Sequence, residues 1–352
     1  MSAHPSPKRR AFGAKTITLA HGGGGSAMRD LIDDVFLAPF SGERRDAPED
    51  QARFDLAALS AKGDRLAFTT DSFVVDPLFF PGGDIGKLAI CGTVNDLAVG
   101  GAVPVALSCA VIIEEGLDVE VLRRVVGSMA ETARAAGVSI STGDTKVVAR
   151  GACDKLFITT TGIGVVRSGL DVGITRARPG DVVLVNGLLG DHGAAILNAR
   201  GDLALDTEIE SDCAPLNGLI ETLIAAAPGI RMMRDATRGG IAAVVNELAE
   251  ASAVGVRLSE LSLPMRPEVQ GFCEILGLDP LYLANEGKIL AVVPPEEAQA
   301  ALAALRAHPL GREAAIIGTV SDGRPGRVTM ETRFGGERIV DMLVGDQLPR
   351  IC

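Results

Sequence analysis

Between Asp118 and Gly137 the apolar side chains Leu122, Val125, Val126, Met129, Ala130 and Ala133 recur at spacings of three and four. That period lines one face of an α-helix, and the flanking aspartate and glycine are its natural caps. Upstream, "LAFTTDSFVV" from Leu66 is rich in β-branched and aromatic residues and reads as a strand. The turn "PGGD" then places Asp84 as the N-cap of a helix over Ile85 to Val99, and "VPVALSCAVII" is the next strand. "VSISTGDTKVV" and "LFITTTGIGVV" give further strands. Before them come a short β-like "KTITLA", the run "HGGGGS", a helix from Ala27 to about Phe36, and a polar surface link, "SGERRDAPEDQAR". Past residues 167–179 the alternation restarts. "GDVVLVNG" is a strand leading into the loop and helix of "LLGDHGAAILNARG". Helices follow near 215–227 and 238–253, the latter with Ile241, Val244, Val245, Leu248 and Ala249 on its apolar face. Strand "ILAVVP", helix "PEEAQAALAALRAH" and strands "AAIIGTV" and "RVTMET" complete the pattern.

At 352 residues the chain exceeds what one hydrophobic core organises. The expectation is an α+β protein of two domains: an extension over 1–44 carrying the glycine-rich loop, domains over 45–170 and 171–340, and a flexible tail over 341–352. A net charge of −11, no tryptophan and a single tyrosine remove the basic footprint and stacking platforms of nucleic-acid binding. No apolar h-region follows the polar start and no apolar run spans a bilayer, so the expected setting is cytoplasmic, without membrane contact.

The six cysteines contain no C-x-x-C pair, which argues against a zinc knuckle or redox dithiol, and Cys91 and Cys109 sit in apolar runs as small buried hydrophobes. Cys352 differs, because "LPRIC" ends the sequence on a thiol. Either it is an incidental terminal residue, or a free end carries it into a site to do chemistry. Four histidines leave little for an imidazole metal site, so a divalent ion is expected to be held by oxygen. Asp71, Asp96 and Asp144 lie in or beside elements expected to be buried, where an unpaired carboxylate is costly. Near glycines and basic residues they suggest Mg²⁺ and phosphate, with capping and turn formation the competing reading for Asp144 and Asp84. The four glycines Gly22 to Gly25 before Ser26 are either a phosphate-approaching loop or a hinge. Lys87 and Lys146 are candidate phosphate neutralisers or surface lysines. Asp191 and His192 occupy a strand-to-helix turn, Asp235, Thr237 and Arg238 another, and Glu286 in "LANEGKIL" is a base or a turn carboxylate.

Together, "HGGGG", "TTDSFVV", "PLFFPGGDIGKLAICGTVNDLAVGGA", "STGDTKVV", "RDATRGGIAAVVNELAE", "ANEGK" and the terminal "PRIC" resemble the HypE hydrogenase maturation family. Those proteins are carbamoyl dehydratases of the superfamily that includes aminoimidazole ribonucleotide synthetase. Gly100 and Ala236 depart from the family pattern, which has Met and Pro there, and residues to about 14 have no counterpart. The resemblance implies the two-domain aminoimidazole ribonucleotide synthetase-like fold. It implies ATP-dependent dehydration of a thiocarbamate on Cys352 to a thiocyanate, the source of the cyanide on the iron of NiFe-hydrogenase. It also assigns roles: Cys352, Glu286 and Lys146 in catalysis; Gly22, Gly23, Gly24, Gly25, Asp84, Lys87, Asn95, Thr145, Asp191 and His192 toward ATP; and Asp71, Asp96 and Asp144 toward Mg²⁺. Expected partners are a second copy through the N-terminal domains, a carbamoyltransferase and an iron-assembling scaffold complex. A superfamily kinase or synthetase acting on a free metabolite, and a non-enzymatic thiol carrier, are the alternatives.

Overall fold

A computed structural model describes residues 12–41, 49–201 and 208–343. The first helical turn is not part of a strand: "KTITLA" forms one bridge, Thr16 to Asp118, and then a 3₁₀ turn over Leu19–Gly22. Local chemistry explains it, since the Thr18 N–H donates to His21 Nδ1 at 2.8 Å and closes the turn. The following helix is interrupted, with α1 (Ser26–Leu31), a π-helical stretch over Ile32–Leu37 and α2 (Ala38–Ser41).

After α3 (Leu56–Ser60) come β1 (Arg65–Phe73), a two-stranded ribbon of β2 (Phe79–Phe80) and β3 (Gly83–Asp84), α4 (Ile85–Val99), β4 (Ala102–Glu114), α5 (Val119–Ala136), β5 (Ser139–Val148) and β6 (Leu156–Val166). The long strands form one sheet in the order β1-β6-β4-β5. All three predicted caps are present, Asp118 accepting from the Glu120 N–H at 2.8 Å. Asp84 accepts from the N–H groups of Gly86 and Lys87 at 2.7 and 3.2 Å, and Gly137 closes α5 at a φ of 71°.

Thirteen of the 15 residues of α4 are buried, so the helix has no solvent face. It lies on one side of the sheet, where Thr93 Oγ1 meets Thr160 Oγ1 at 2.5 Å and Thr160 Oγ1 donates to the Ala89 carbonyl at 2.9 Å. Gly162 permits this approach, because a Cβ there would stand 2.8–3.0 Å from Thr93, Leu97 and Leu107. Among the described residues the other side of the sheet is left uncovered. Leu66, Phe68 and Ile112 are 67%, 72% and 41% exposed there.

The second half contains β7 (Val182–Val185), α6 (Asp191–Ala199), α7 (Asn217–Ala226), β8 (Met232–Asp235), α8 (Gly240–Ala251), β9 (Gly255–Ser259), α9 (Pro267–Leu276), β10 (Ile289–Val293), α10 (Ala298–Ala307), β11 (Ala315–Ser321), β12 (Val328–Glu331) and β13 (Glu337–Ile339). Its sheet runs β13-β12-β9-β11-β7-β10-β8. Alternate side chains of β7 and β10 serve two cores. Val183, Val185, Leu290 and Val292 pack with α8, while Leu184, Ile289, Ala291 and Val293 pack with α7 and α10. Ala98 and Val99 at the end of α4 join the latter core, so this helix binds the two halves together. The strands β8 and β9 and the helix α9 were not expected from the pattern. The two strands are short, and the run before α9 is broken by Pro264 and Pro267.

Two glycine substitutions separate packing from propensity. Gly162→Ala should destabilise by about 1–3 kcal/mol through overpacking. Gly127→Ala, inside α5 with nothing within 4 Å of its Cβ, should stabilise by about 0.5–1 kcal/mol through helix propensity. Urea unfolding midpoints measure both.

Candidate active site

Strand β1 and helix α4 meet at a cleft of about 400 Å³ whose lining includes Asp71, Gly92, Thr237, Arg238 and Glu286. Asp71 points from β1 to the α4 side of the sheet, on the same face as Phe73 and, through the register, Thr160 and Cys109. Asp96 on α4 accepts from Thr69 Oγ1 at 2.9 Å. Burial raises its pKa, and the nearby Asp71 carboxylate raises it further. Asp235, the last residue of β8, brings a third carboxylate from the second domain. Burial, then Asp96 and Asp71, push its pKa up to about 7.

Glu286 closes the inner end and is only 6% exposed. Desolvation is the main reason its pKa stands well above the usual carboxylate range, followed by Cys213, Asp212, Asp235 and Asp71. Burial thus disfavours the charged form, and cationic charge entering the cleft would favour it.

The loop carrying Glu286 is bonded nearly atom by atom. Asp212 accepts from the Glu286 N–H at 3.0 Å and the Gly287 N–H at 3.2 Å, and pairs with Lys288 Nζ at 2.9 Å. From α4, Asn95 Nδ2 donates to the Glu286 carbonyl at 3.4 Å and to the Ala214 carbonyl at 3.1 Å, while its Oδ1 accepts from Leu216 N–H at 2.7 Å. Asn186 accepts from Ile289 N–H at 2.8 Å and donates to the Gly287 carbonyl at 3.1 Å. Asn285 spans Gly190 N–H at 2.8 Å and the Ala236 carbonyl at 3.0 Å.

Other expected site residues lie elsewhere in the protomer. Asp144 does not follow its strand but sits within β5. Register places it in a row with Ala110, Thr159 and Ser72, on the bare face, whereas Asp71 is on the α4 face. It is exposed and pairs with Lys146 at 2.9 Å, and three strand spacings separate it from β1, about 14 Å. Within one chain, Asp71 and Asp96 therefore meet each other and Asp235, and neither Asp144 nor Lys146 joins them. Thr145, between the two, is buried on the α4 face. Gly22 packs against Val147 of the same edge strand, so the glycine run begins beside β5, with open space around Gly24 and Gly25.

Asp84 serves as the α4 cap, and Lys87 Nζ donates to the Gly82 carbonyl at 2.8 Å. Asp191 pairs with Arg266 at 3.0 Å. His192 is fully buried against the edge of Phe80, shares a 2.8 Å hydrogen bond between Nδ1 and Ser211 Oγ, and leaves Nε2 without a partner. Cys352 lies outside the described residues. Asp212 and Lys288 carry no motif of their own in the sequence. A lysine directly before the apolar "ILAVV" signals a buried cation, but its counter-charge lies 76 residues away and no local pattern points to it.

Residues 49–166 match the family model described as AIR synthase related protein, N-terminal domain, and residues 178–331 its C-terminal counterpart. The carbamoyl dehydratase HypE of Rhodobacter capsulatus is 62% identical over 336 residues, covering 96% of this chain and 98% of that protein. A crystal structure of the hydrogenase maturation protein HypE in complex with ATP superposes with a TM-score of 0.89 at 50% identity, covering 95% of this chain and 99% of that one. A HypE chain from a HypE–HypF complex gives 0.77 at 52% identity, covering 79% and 90%.

Burial lowers the His192 pKa from 6.5 to about 4, only partly opposed by Asp212. The unfolded chain therefore binds a proton that the fold refuses, and stability present above pH 6.5 is lost as pH falls toward 4, by ~3 kcal/mol at most. His192→Gln should flatten this acid slope in denaturant titrations at stepped pH.

Proposed function

This chain belongs to the HypE family of carbamoyl dehydratases, and from that premise we propose that its cleft dehydrates a thiocarbamate on Cys352 to a thiocyanate with ATP. The product supplies the cyanide ligand for NiFe-hydrogenase iron. The observation that carries the site assignment is the buried Glu286 lining the same cleft as Asp71, with Asp235 and Asp71 both acting on its charge and Asp96 acting in turn on Asp235.

The chemistry sets the requirements. Expelling the oxygen of S–C(=O)–NH₂ directly would release a very poor leaving group. Transfer of the ATP γ-phosphoryl to that oxygen turns it into phosphate, and loss of two nitrogen protons forms C≡N with release of phosphate and ADP. Glu286 takes a nitrogen proton, and cationic charge brought into the cleft would favour the carboxylate form that this requires. Arg238 and Thr237 line the same cleft and orient phosphate oxygens.

Asp71, Asp96 and Asp235 suit Mg²⁺, a hard cation that uses one or two carboxylates and completes its shell with phosphate and water. Among the described residues no three acidic, histidine or cysteine side chains are grouped closely enough to hold an ion by themselves, so no more than two of these carboxylates would bind it directly, with phosphate and water as the other ligands. When bound, the ion would neutralise phosphate charge.

The remaining expected residues, Lys146, Asp144 and the glycine run that begins at Gly22, lie at the β5 edge, and Asp71 is on the opposite edge strand. The sheet face between these edges exposes Leu66, Phe68 and Ile112. A second copy packed on that face would bury the apolar residues and carry its β5 edge to the β1 edge of the first, so each cleft is completed by two chains. The carbamoyl donor is a carbamoyltransferase of the HypF type, in keeping with the solved HypE–HypF complex, and an iron-assembling scaffold complex receives the cyanide.

With carbamoylated full-length chain and MgATP, the C-terminal peptide should lose the mass of one water; an unchanged peptide in protein whose tail is accessible would sink the dehydratase reading. Asp96→Asn should weaken MgATP binding in calorimetry while the melting temperature holds. Lys146→Ala and Glu286→Gln should each fall to a small residual rate alone and regain activity when mixed and re-associated, because one cleft of each mixed pair has both residues. No recovery would place both residues in one chain's site.

A further inference from the structure

We propose that Asp212 is a positioning residue for the dehydration, fixing Glu286 through the backbone of the loop that carries it. The proposal rests on Glu286 being the base. Asp212 is almost wholly buried, with its side chain 3% exposed, and it does not line the cleft, so its effect on the reaction is transmitted rather than direct.

The geometry exceeds what an ion pair needs. Lys288 Nζ takes one oxygen, Oδ2, which also accepts from the Gly287 N–H, and the other oxygen is given to the Glu286 N–H. Two successive peptide groups are thereby aimed at one carboxylate, which sets the direction in which the Glu286 side chain leaves the backbone. The approach is as close as backbone allows, since a Cβ on Gly287 would lie 1.9 Å from the Asp212 carbonyl oxygen. Stability alone is a poor explanation, because a buried ion pair is often replaceable by apolar residues at little cost.

Asp212 is itself held from the far side. The Ser211 N–H donates to the Pro81 carbonyl at 2.8 Å, and Ser211 Oγ accepts from the Cys213 N–H at 3.1 Å while sharing its bond with His192. Pro81 lies in the turn between β2 and β3, and His192 is in α6. The path therefore runs from two separate elements through Asp212 to the base, with Asn95 gripping the carbonyl of the same residue from α4.

Asp212→Asn keeps the shape but presents an amide N–H where one of the two backbone donors needs an acceptor. Single-turnover dehydration of the carbamoylated chain should slow by about tenfold to a hundredfold, the scale of a small misplacement of a reacting group, while MgATP affinity is unchanged. In a Glu286→Gln background the same substitution should cost nothing further. The double variant Asp212→Asn, Lys288→Met removes the stranded lysine charge and should fold even where the single variant does not, with the same kinetic loss. A wild-type rate in either folded variant, an equal factor of loss with and without Glu286, or failure of both to fold would overturn the assignment and leave a scaffold contact. If the unaltered chain with MgATP leaves its thiocarbamate intact, it is the dehydratase reading that has failed.

Discussion

Helix α4 is wedged between two sheets, and its near-complete burial is the constraint from which the site follows. A helix with no solvent face must find a protein partner for every polar side chain it carries. Thr93 finds one in the sheet beneath it, Asp96 finds Thr69 on the edge strand, and Asn95 finds the backbone of the second domain. These three neighbouring residues point in three directions, which is how one helix fixes the sheet, the carboxylates and the Glu286 loop in a common frame. Small residues make the wedge possible: Gly92 admits the Phe73 ring and Gly162 admits Thr93 and Leu97.

Within that frame the electrostatics are deliberately unbalanced on one side and balanced on the other. Asp212 is brought below the usual carboxylate range despite burial, because Lys288 and the Glu286 N–H stabilise its charge. Asp96, Asp235 and Glu286 are shifted upward, with burial the leading cause for each. A charge that is satisfied organises the loop; acidic groups buried beside one another without such a partner favour a cation among them. Arg238 and Arg234 lower the Asp96 pKa only as lesser contributions.

The helices α4 and α5 were legible because their signals are local: Asp84, Asp118 and Gly137 sit within a turn of the ends they cap. The long strands β1 and β4 were legible by composition. Register was not, and so Asp71 and Asp144, read as one metal set, fall on opposite faces of a sheet whose pairing shifts by one residue at β4. The π-helical stretch after α1 broke a helix that periodicity drew as continuous. Asp235, seen only as part of a loop-to-helix corner, acquired its role from contact across domains. Asp212 and Lys288 escaped for the same reason, since a pair joined over such a span leaves no trace in any window of sequence.

The bare face of the first sheet has a consequence for the cell's control of supply. In the proposed pairing the cleft is assembled from the β1 edge of one chain and the β5 edge of another, so its abundance would rise with the square of chain concentration while chains are scarce. On that pairing, cyanide ligand production would respond to expression as a threshold rather than in proportion, and a cell making only traces of the chain would keep the Glu286 half of each cleft apart from the Lys146 half.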